Sequence, residues 1–170
     1  MKRILCGWAL MLAVFLSLNC ERDDVCAGTT PTTPRVVVEF FNYTNNAPRN
    51  VTNLSIRSTE TDSVITFTAV NKILVPLKTF DTTTSYTFTI NDDDVPQTPT
   101  FTDTVTFNYA TRDIYISRAC GFKTVFDLSQ EPGIPAVSIN NGSPGTWMQT
   151  VIIDNYTIEL EDETHIRIYF

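Results

Sequence analysis

The sequence predicts an all-β chain, and two observations carry that prediction. Apolar residues recur at every second position over short runs, and clusters of turn-forming residues separate those runs. No stretch of about twelve residues carries an apolar stripe at helical spacing.

The runs can be taken in order. Val36, Val38 and Phe40 share one face of the first, and Ile65, Phe67 and Ala69 share one face of a later run. Pro76, within Ile73–Leu77, marks a sheet edge or a strand end, because proline donates no ladder hydrogen bond. Tyr86, Phe88 and Ile90 alternate with Thr87 and Thr89, and Val105, Phe107 and Tyr109 alternate with Thr104, Thr106 and Asn108. Threonine suits the solvent side of a pleated sheet. Ile114/Ile116, Phe122/Thr124/Phe126/Leu128, Trp147/Val151/Ile153, Ile158/Leu160 and Ile166/Ile168/Phe170 follow. Turn clusters lie at Asn45–Pro48, Asn91–Asp94, Asn140–Gly145 and Glu161–Glu163. About eight to ten short strands at this spacing make an antiparallel β-sandwich of immunoglobulin-like, Greek-key type, with a closed barrel as the alternative.

Composition narrows the functional classes. A chain of 170 residues suits one domain plus a targeting segment, and 42% apolar content is too high for disorder. Twelve basic against nineteen acidic residues, a net charge of -7, leave no surplus to neutralise phosphates, so no nucleic-acid partner is expected. A single histidine gives metal and histidine chemistry little material.

Lys2 and Arg3 precede an uncharged apolar run, Ile4–Leu18. A membrane-spanning helix needs about 20 residues, so this shorter run reads as a secretory signal peptide. Ser17-Leu18-Asn19-Cys20 resembles a bacterial lipobox, in which the cysteine becomes the lipidated N-terminus. Glu21-Arg22-Asp23-Asp24 resembles the signal that sends Bacteroidota lipoproteins to the outer-membrane surface. The expected organisation is a lipoprotein signal peptide over 1–19, a lipid-anchored linker over 20–34 and one β-sandwich over 35–170. The protein is then outer-membrane-anchored through lipid on Cys20, at the cell surface or on the periplasmic face.

Four cysteines reduce to two once Cys6 leaves with the signal and Cys20 takes the lipid. Cys26 and Cys120 remain in a compartment that favours disulfides, and they are expected to pair; two buried free thiols are the alternative. Only six residue steps separate Cys20 from Cys26, at most about 20 Å of extended chain, so such a staple holds the domain close to the membrane.

Candidate chemistry is sparse. His165 shares a strand face with Arg167 and Tyr169 and reads as an exposed strand residue, since no second histidine exists to complete a site. Asp92–Asp94 and Glu159/Glu161–Glu163 lack the alternating ligands and glycine of a calcium loop and read as solvated turn acids. No metal and no cofactor are expected, and no catalytic residues are assigned. Tyr115 and Tyr169, each between inward apolar neighbours, are candidates for glycan contact; Phe41 and Tyr43, which share a face with Val37 and Glu39, are further outward aromatics. Asp62-Ser63-Val64, Asp81-Thr82-Thr83 and Asp103-Thr104-Val105 resemble Bacteroidota O-glycosylation sites, with Ser63, Thr82 and Thr104 as acceptors.

Several segments together resemble an uncharacterised domain family of small flavobacterial lipoproteins. They are Cys20–Cys26, Thr32–Pro34, Val51–Leu54, Val75–Thr79, Tyr115–Thr124 and His165–Phe170, with Ser-Arg-Ala-Cys-Gly-Phe-Lys the most distinctive. The resemblance covers the mature chain. It implies an envelope location and an outer-membrane barrel protein as partner, and it brings no catalytic residues. The expected function is therefore a non-enzymatic interaction module of the cell envelope; a surface carbohydrate-binding module is the alternative, and a hydrolase comes third.

Overall fold

The computed structural model describes residues 25–91, 99–141 and 146–170. The expected signal peptide over 1–19, Cys20 and the acids Asp92–Asp94 lie outside the described residues. The chain divides into two compact units. One comprises residues up to Pro31 with Ile114–Lys123, and the other comprises Thr32–Asp113 with Thr124–Phe170.

Eleven strands and no helix form among the described residues. They are β1 (Val36–Phe41), β2 (Leu54–Ser58), β3 (Val64–Phe67), β4 (Lys72–Val75), β5 (Thr83–Ile90), β6 (Phe101–Ser117), β7 (Gly121–Leu128), β8 (Val137–Asn141), β9 (Thr150–Ile153), β10 (Thr157–Ile158) and β11 (Ile166–Tyr169). The count exceeds the expected eight to ten because β2 and β8 lie outside the alternating runs, whereas the Ile158 run marks β10. In the opposite direction, the runs at 104–109 and 114–116 merge into one 17-residue strand, β6. Two sheets result: β4-β1-β11-β9, and β10-β7-β6-β5-β2-β3 with β8 also bonded to β6. The larger sheet curls without closing, which gives an all-β sandwich and not the barrel. Antiparallel pairing dominates: β1–β4, β9–β11, β2–β3, β2–β5, β5–β6, β6–β8 and β7–β10 are all of that kind. In contrast, β1 and β11 run parallel from Val38↔Ile166 to Phe41↔Tyr169.

Alternation dictates which side chains meet. Val36, Val38, Phe40, Ile73, Val75, Ile166 and Ile168 point from the smaller sheet into the core. Leu54, Ile56, Phe88, Val105 and Phe107 meet them from the larger one. Burying each such side chain contributes roughly 1.5–3 kcal/mol relative to exposure. The opposite face of the larger sheet carries the threonine ladder expected from the sequence. Thr89 and Thr102 hydroxyls lie 3.2 Å apart, and Ser85 and Thr106 hydroxyls 2.8 Å apart, in cross-strand pairs. β4 lies at a sheet edge and stops one residue before Pro76, as that proline requires. Three turn asparagines, Asn46, Asn53 and Asn91, take the left-handed conformation that asparagine tolerates best among non-glycine residues.

Two buried polar devices hold the core's borders. Thr84 Oγ1 accepts from the Lys78 N–H (3.1 Å) and donates to the Tyr109 hydroxyl (2.5 Å), which donates to the Lys78 carbonyl (2.9 Å). That closed circuit satisfies every group in it, and burial pushes the Tyr109 phenol above its ordinary pKa. Asp103 is the second device. Its register puts it on the inward face in line with Val105 and Phe107, wholly buried. One carboxylate oxygen accepts from the Trp147 N–H, the Met148 N–H (2.9 Å each) and the Thr146 hydroxyl (3.0 Å). The segment entering β9 is thereby fixed, and Trp147 packs against Phe40 and Phe170.

Candidate functional site

The outer face of the smaller sheet carries a shallow depression lined by Tyr43, Asn46, Thr150, Ile152, Arg167 and Tyr169. Register explains its composition. Glu39 and Arg167 are opposite one another on β1 and β11, Phe41 opposes Tyr169, and Ile152 and Thr150 oppose Arg167 and Tyr169 on β9. All point away from the core because they alternate with Phe40, Ile166 and Ile168.

Arg167 is held on both sides. Its Nε and Nη2 donate to the two oxygens of Asp154 at 2.7 and 2.5 Å, and its Nη1 donates to the Tyr169 hydroxyl at 3.1 Å. Asp154 raises the guanidinium pKa further, so the group is a fixed cation. The Tyr169 ring stacks on Phe41 with centroids 5.5 Å apart, and Arg167 lies 5.9 Å from the Phe41 centroid. A stiff aromatic floor with a pinned cation suits contact recognition of a ligand or a partner.

Several sequence expectations change here. Tyr169 is only 6% exposed, because Phe41 and the β1–β11 pairing cover it; it forms the floor and does not stand out as a platform. Tyr43, at 57% exposed, is the outward aromatic of this face. His165 is not an exposed strand residue: it is 0% exposed. Its Nδ1 accepts the Val37 N–H at 3.0 Å, its own N–H donates to the Val37 carbonyl, and its carbonyl accepts from Asp154 and Asn155. With Nδ1 accepting, the ring proton sits on Nε2, which is buried and finds no hydrogen-bond partner. Burial lowers the His165 pKa, opposed by the charges of Glu163, Asp162 and Glu161. The histidine is thus a strand-joining residue.

The described acids of the last turn are spread over separate partners. Glu161 takes a two-pronged pair with Arg35, which lowers the Glu161 pKa chiefly by hydrogen bonding. Glu159 pairs with Arg112, and Glu163 accepts from Asn155. Among the described residues no group of three or more His, Cys, Asp or Glu side chains is placed to hold a metal ion.

The three glycosylation candidates sit in unlike places. Asp62 and Ser63 are exposed in the β2–β3 turn, and Asp81 and Thr82 are exposed just before β5, with Asp81 bonded to the Thr82 N–H and to Lys78. Thr104 is half-buried in mid-sheet between Thr87 and Asn140, and the acid beside it is the buried Asp103.

In the first unit, Cys26 and Cys120 form a disulfide with Cα atoms 4.9 Å apart. Cys120 sits in the turn between β6 and β7, where its N–H donates to Ser117 Oγ. Gly121 takes a φ of 71° as the chain turns back, which a side chain would strain. Tyr115 and Phe122 flank this turn as an edge-to-face pair, centroids 5.3 Å apart. Tyr115 belongs to this unit and Tyr169 to the other.

Sequence reasoning missed Asp103, which it treated only as part of a modification motif. The signal was present: an acid in phase with Val105, Phe107 and Tyr109 must face inward. The Arg167–Asp154 pair was hidden, since no sequence spacing announces a contact across the β9–β11 turn.

Fold and surface together define an all-β sandwich with a shallow aromatic and arginine-bearing hollow on the smaller sheet. The chain matches, over residues 53–170, the model described as Family of unknown function (DUF6452), and it belongs to that family. No curated protein and no solved structure matches it.

Proposed function

We propose that this protein is an outer-membrane lipoprotein of the Bacteroidota type that works as a non-enzymatic interaction module of the cell envelope. In this reading residues 1–19 are the signal peptide and Cys20 carries the lipid. The observation that carries the proposal is the position of the staple. Cys26 is disulfide-bonded to Cys120, and six residue steps, at most about 20 Å of chain, connect it to Cys20. A domain so tethered stays near the bilayer, where its arginine-and-tyrosine face can meet a membrane-associated partner such as an outer-membrane barrel protein.

Cys20 is tested by growing cells on a radiolabelled fatty acid. Label should enter the wild-type chain and be absent from Cys20→Ser; equal labelling of both would refute lipidation at this residue. The partner is tested by crosslinking in the native envelope, read by mass spectrometry. A specific membrane protein lost on Arg167→Ala supports the interaction role, and recovery of abundant bystanders alone refutes it.

A second reading, a surface carbohydrate-binding module, is favoured by one observation: exposed Tyr43 borders a hollow that also offers Asn46, Thr150 and Arg167. Glycan-array binding lost on Tyr43→Ala but kept by Tyr115→Ala would support it. O-glycan, where attached, belongs on exposed Ser63 or Thr82 before half-buried Thr104, and the intact mass of native protein reads it directly.

A further inference from the structure

The tip of the first unit brings paired exposed rings and basic charge together. Tyr115 is 59% exposed and Phe122 67% exposed, yet they contact each other edge-to-face, so two large rings form one outward apolar knob. Val25, beside the disulfide, is 75% exposed. The charge of the described residues here also has the opposite sign, with the acids Glu21, Asp23 and Asp24 preceding them in the sequence. Among Val25–Pro31 and Ile114–Lys123 the only charged residues are Arg118 and Lys123. The other unit's segments, Thr32–Asp113 and Thr124–Phe170, contain seven basic against sixteen acidic residues.

Solvent is a poor environment for such a knob, and a membrane interface is a good one. Aromatic rings favour the headgroup level, and arginine and lysine bury their stems there while their charges meet anionic headgroups. We propose that the Tyr115–Phe122 tip is a second membrane contact, which inserts its rings into an anionic lipid interface with Arg118 and Lys123 on the headgroups. The occupant is argued from charge and from chain length. The acidic unit is repelled by an anionic surface while the basic tip is attracted. The disulfide fixes that tip to Cys26, six steps from Cys20, so the placement rests on the anchoring reading above. The tip makes a one-point tether into a two-point attachment, which holds the first unit at the interface.

The test uses the purified native lipoprotein carrying Phe122→Trp, reconstituted into phosphatidylethanolamine–phosphatidylglycerol vesicles with or without brominated acyl chains. Flotation reports the anchor, and bromine quenching reports the tip. The expected result is flotation together with loss of the introduced indole's emission in brominated vesicles, measured above the wild-type signal and weakened by adding Arg118→Glu and Lys123→Glu. Phe80→Trp, on the acidic unit, should float and keep its emission. Flotation without quenching at position 122 overturns the tip contact and leaves the anchor standing, whereas failure to float overturns both. Equal quenching at positions 80 and 122, or a lipid-independent blue shift at 122 that grows with protein concentration, also overturns it: the first means non-specific adsorption, the second a second copy covering the knob.

Discussion

Replacing Asp103 with alanine probes the most demanding buried group in the fold. Its carboxylate is the acceptor for two buried backbone donors, the N–H groups of Trp147 and Met148, at 2.9 Å each. The Thr146 hydroxyl would survive the change, because it also reaches the Met148 carbonyl at 2.9 Å. Two orphaned N–H groups cost about 1–3 kcal/mol each, and relief from burying a carboxylate offsets part of this. The net expectation is a loss of about 2–4 kcal/mol, which for a chain of this size lowers Tm by roughly 5–15 °C. Asp103→Asn keeps an acceptor oxygen and should lose less. Urea unfolding at pH 7, followed by fluorescence, is a direct assay, since Trp147 lies beside the affected bonds. A loss below about 1 kcal/mol for Asp103→Ala would refute the claim that this carboxylate holds the β9 entry.

Two further outcomes follow from the same structure. The His165 pKa is lowered by burial, so below its unfolded value of about 6.5 the unfolded chain takes a proton that the folded chain refuses. Its stabilising contribution is complete above that pH and shrinks as pH falls towards the folded value, at up to about 1.4 kcal/mol per pH unit. His165→Asn, whose amide oxygen can replace Nδ1 as acceptor for Val37, should flatten the urea midpoint between pH 7.5 and 5.5; an unchanged slope would point to other groups. Cys26→Ser with Cys120→Ser should lower stability by about 2–4 kcal/mol, within the limit that the chain-entropy argument sets for a 94-residue separation. An unchanged unfolding midpoint would show that the staple constrains the unfolded chain very little.

How far the fold could be read from the sequence depended on how local each cause was. The two-residue period of Val36, Val38 and Phe40 and of Val105, Phe107 and Tyr109 is a local property, and it located their inward faces. Pro76 acts on its own ladder, and it marked the end of β4. The parallel pairing of β1 with β11 arises from contacts between distant residues, and no local pattern encodes it. That pairing is what buries His165 and covers Tyr169, so both were misread as exposed. The outer face of the smaller sheet was only half legible for the same reason: Tyr43 and Phe41 were on a recognised face, but their meeting with Arg167 and Tyr169 depends on register between the distant strands β1 and β11. β3 shows the limit of alternation itself. Ile65 is apolar and in phase with Phe67, yet it stays exposed, because an edge strand has little to pack against.

The β1–β11 seam also governs the order in which the protein can be completed. Val37 exchanges hydrogen bonds with His165, 128 residues later, and Phe41 accepts the N–H of Phe170. A chain that emerges from its N-terminus can pair β1 with β4 early, but the other edge of β1 stays open until β11 arrives. Long-range closure of this kind slows folding and leaves an unpaired strand edge exposed meanwhile. A chain that stops short of β11 should therefore resemble an arrested nascent chain, with β1 available to any passing strand.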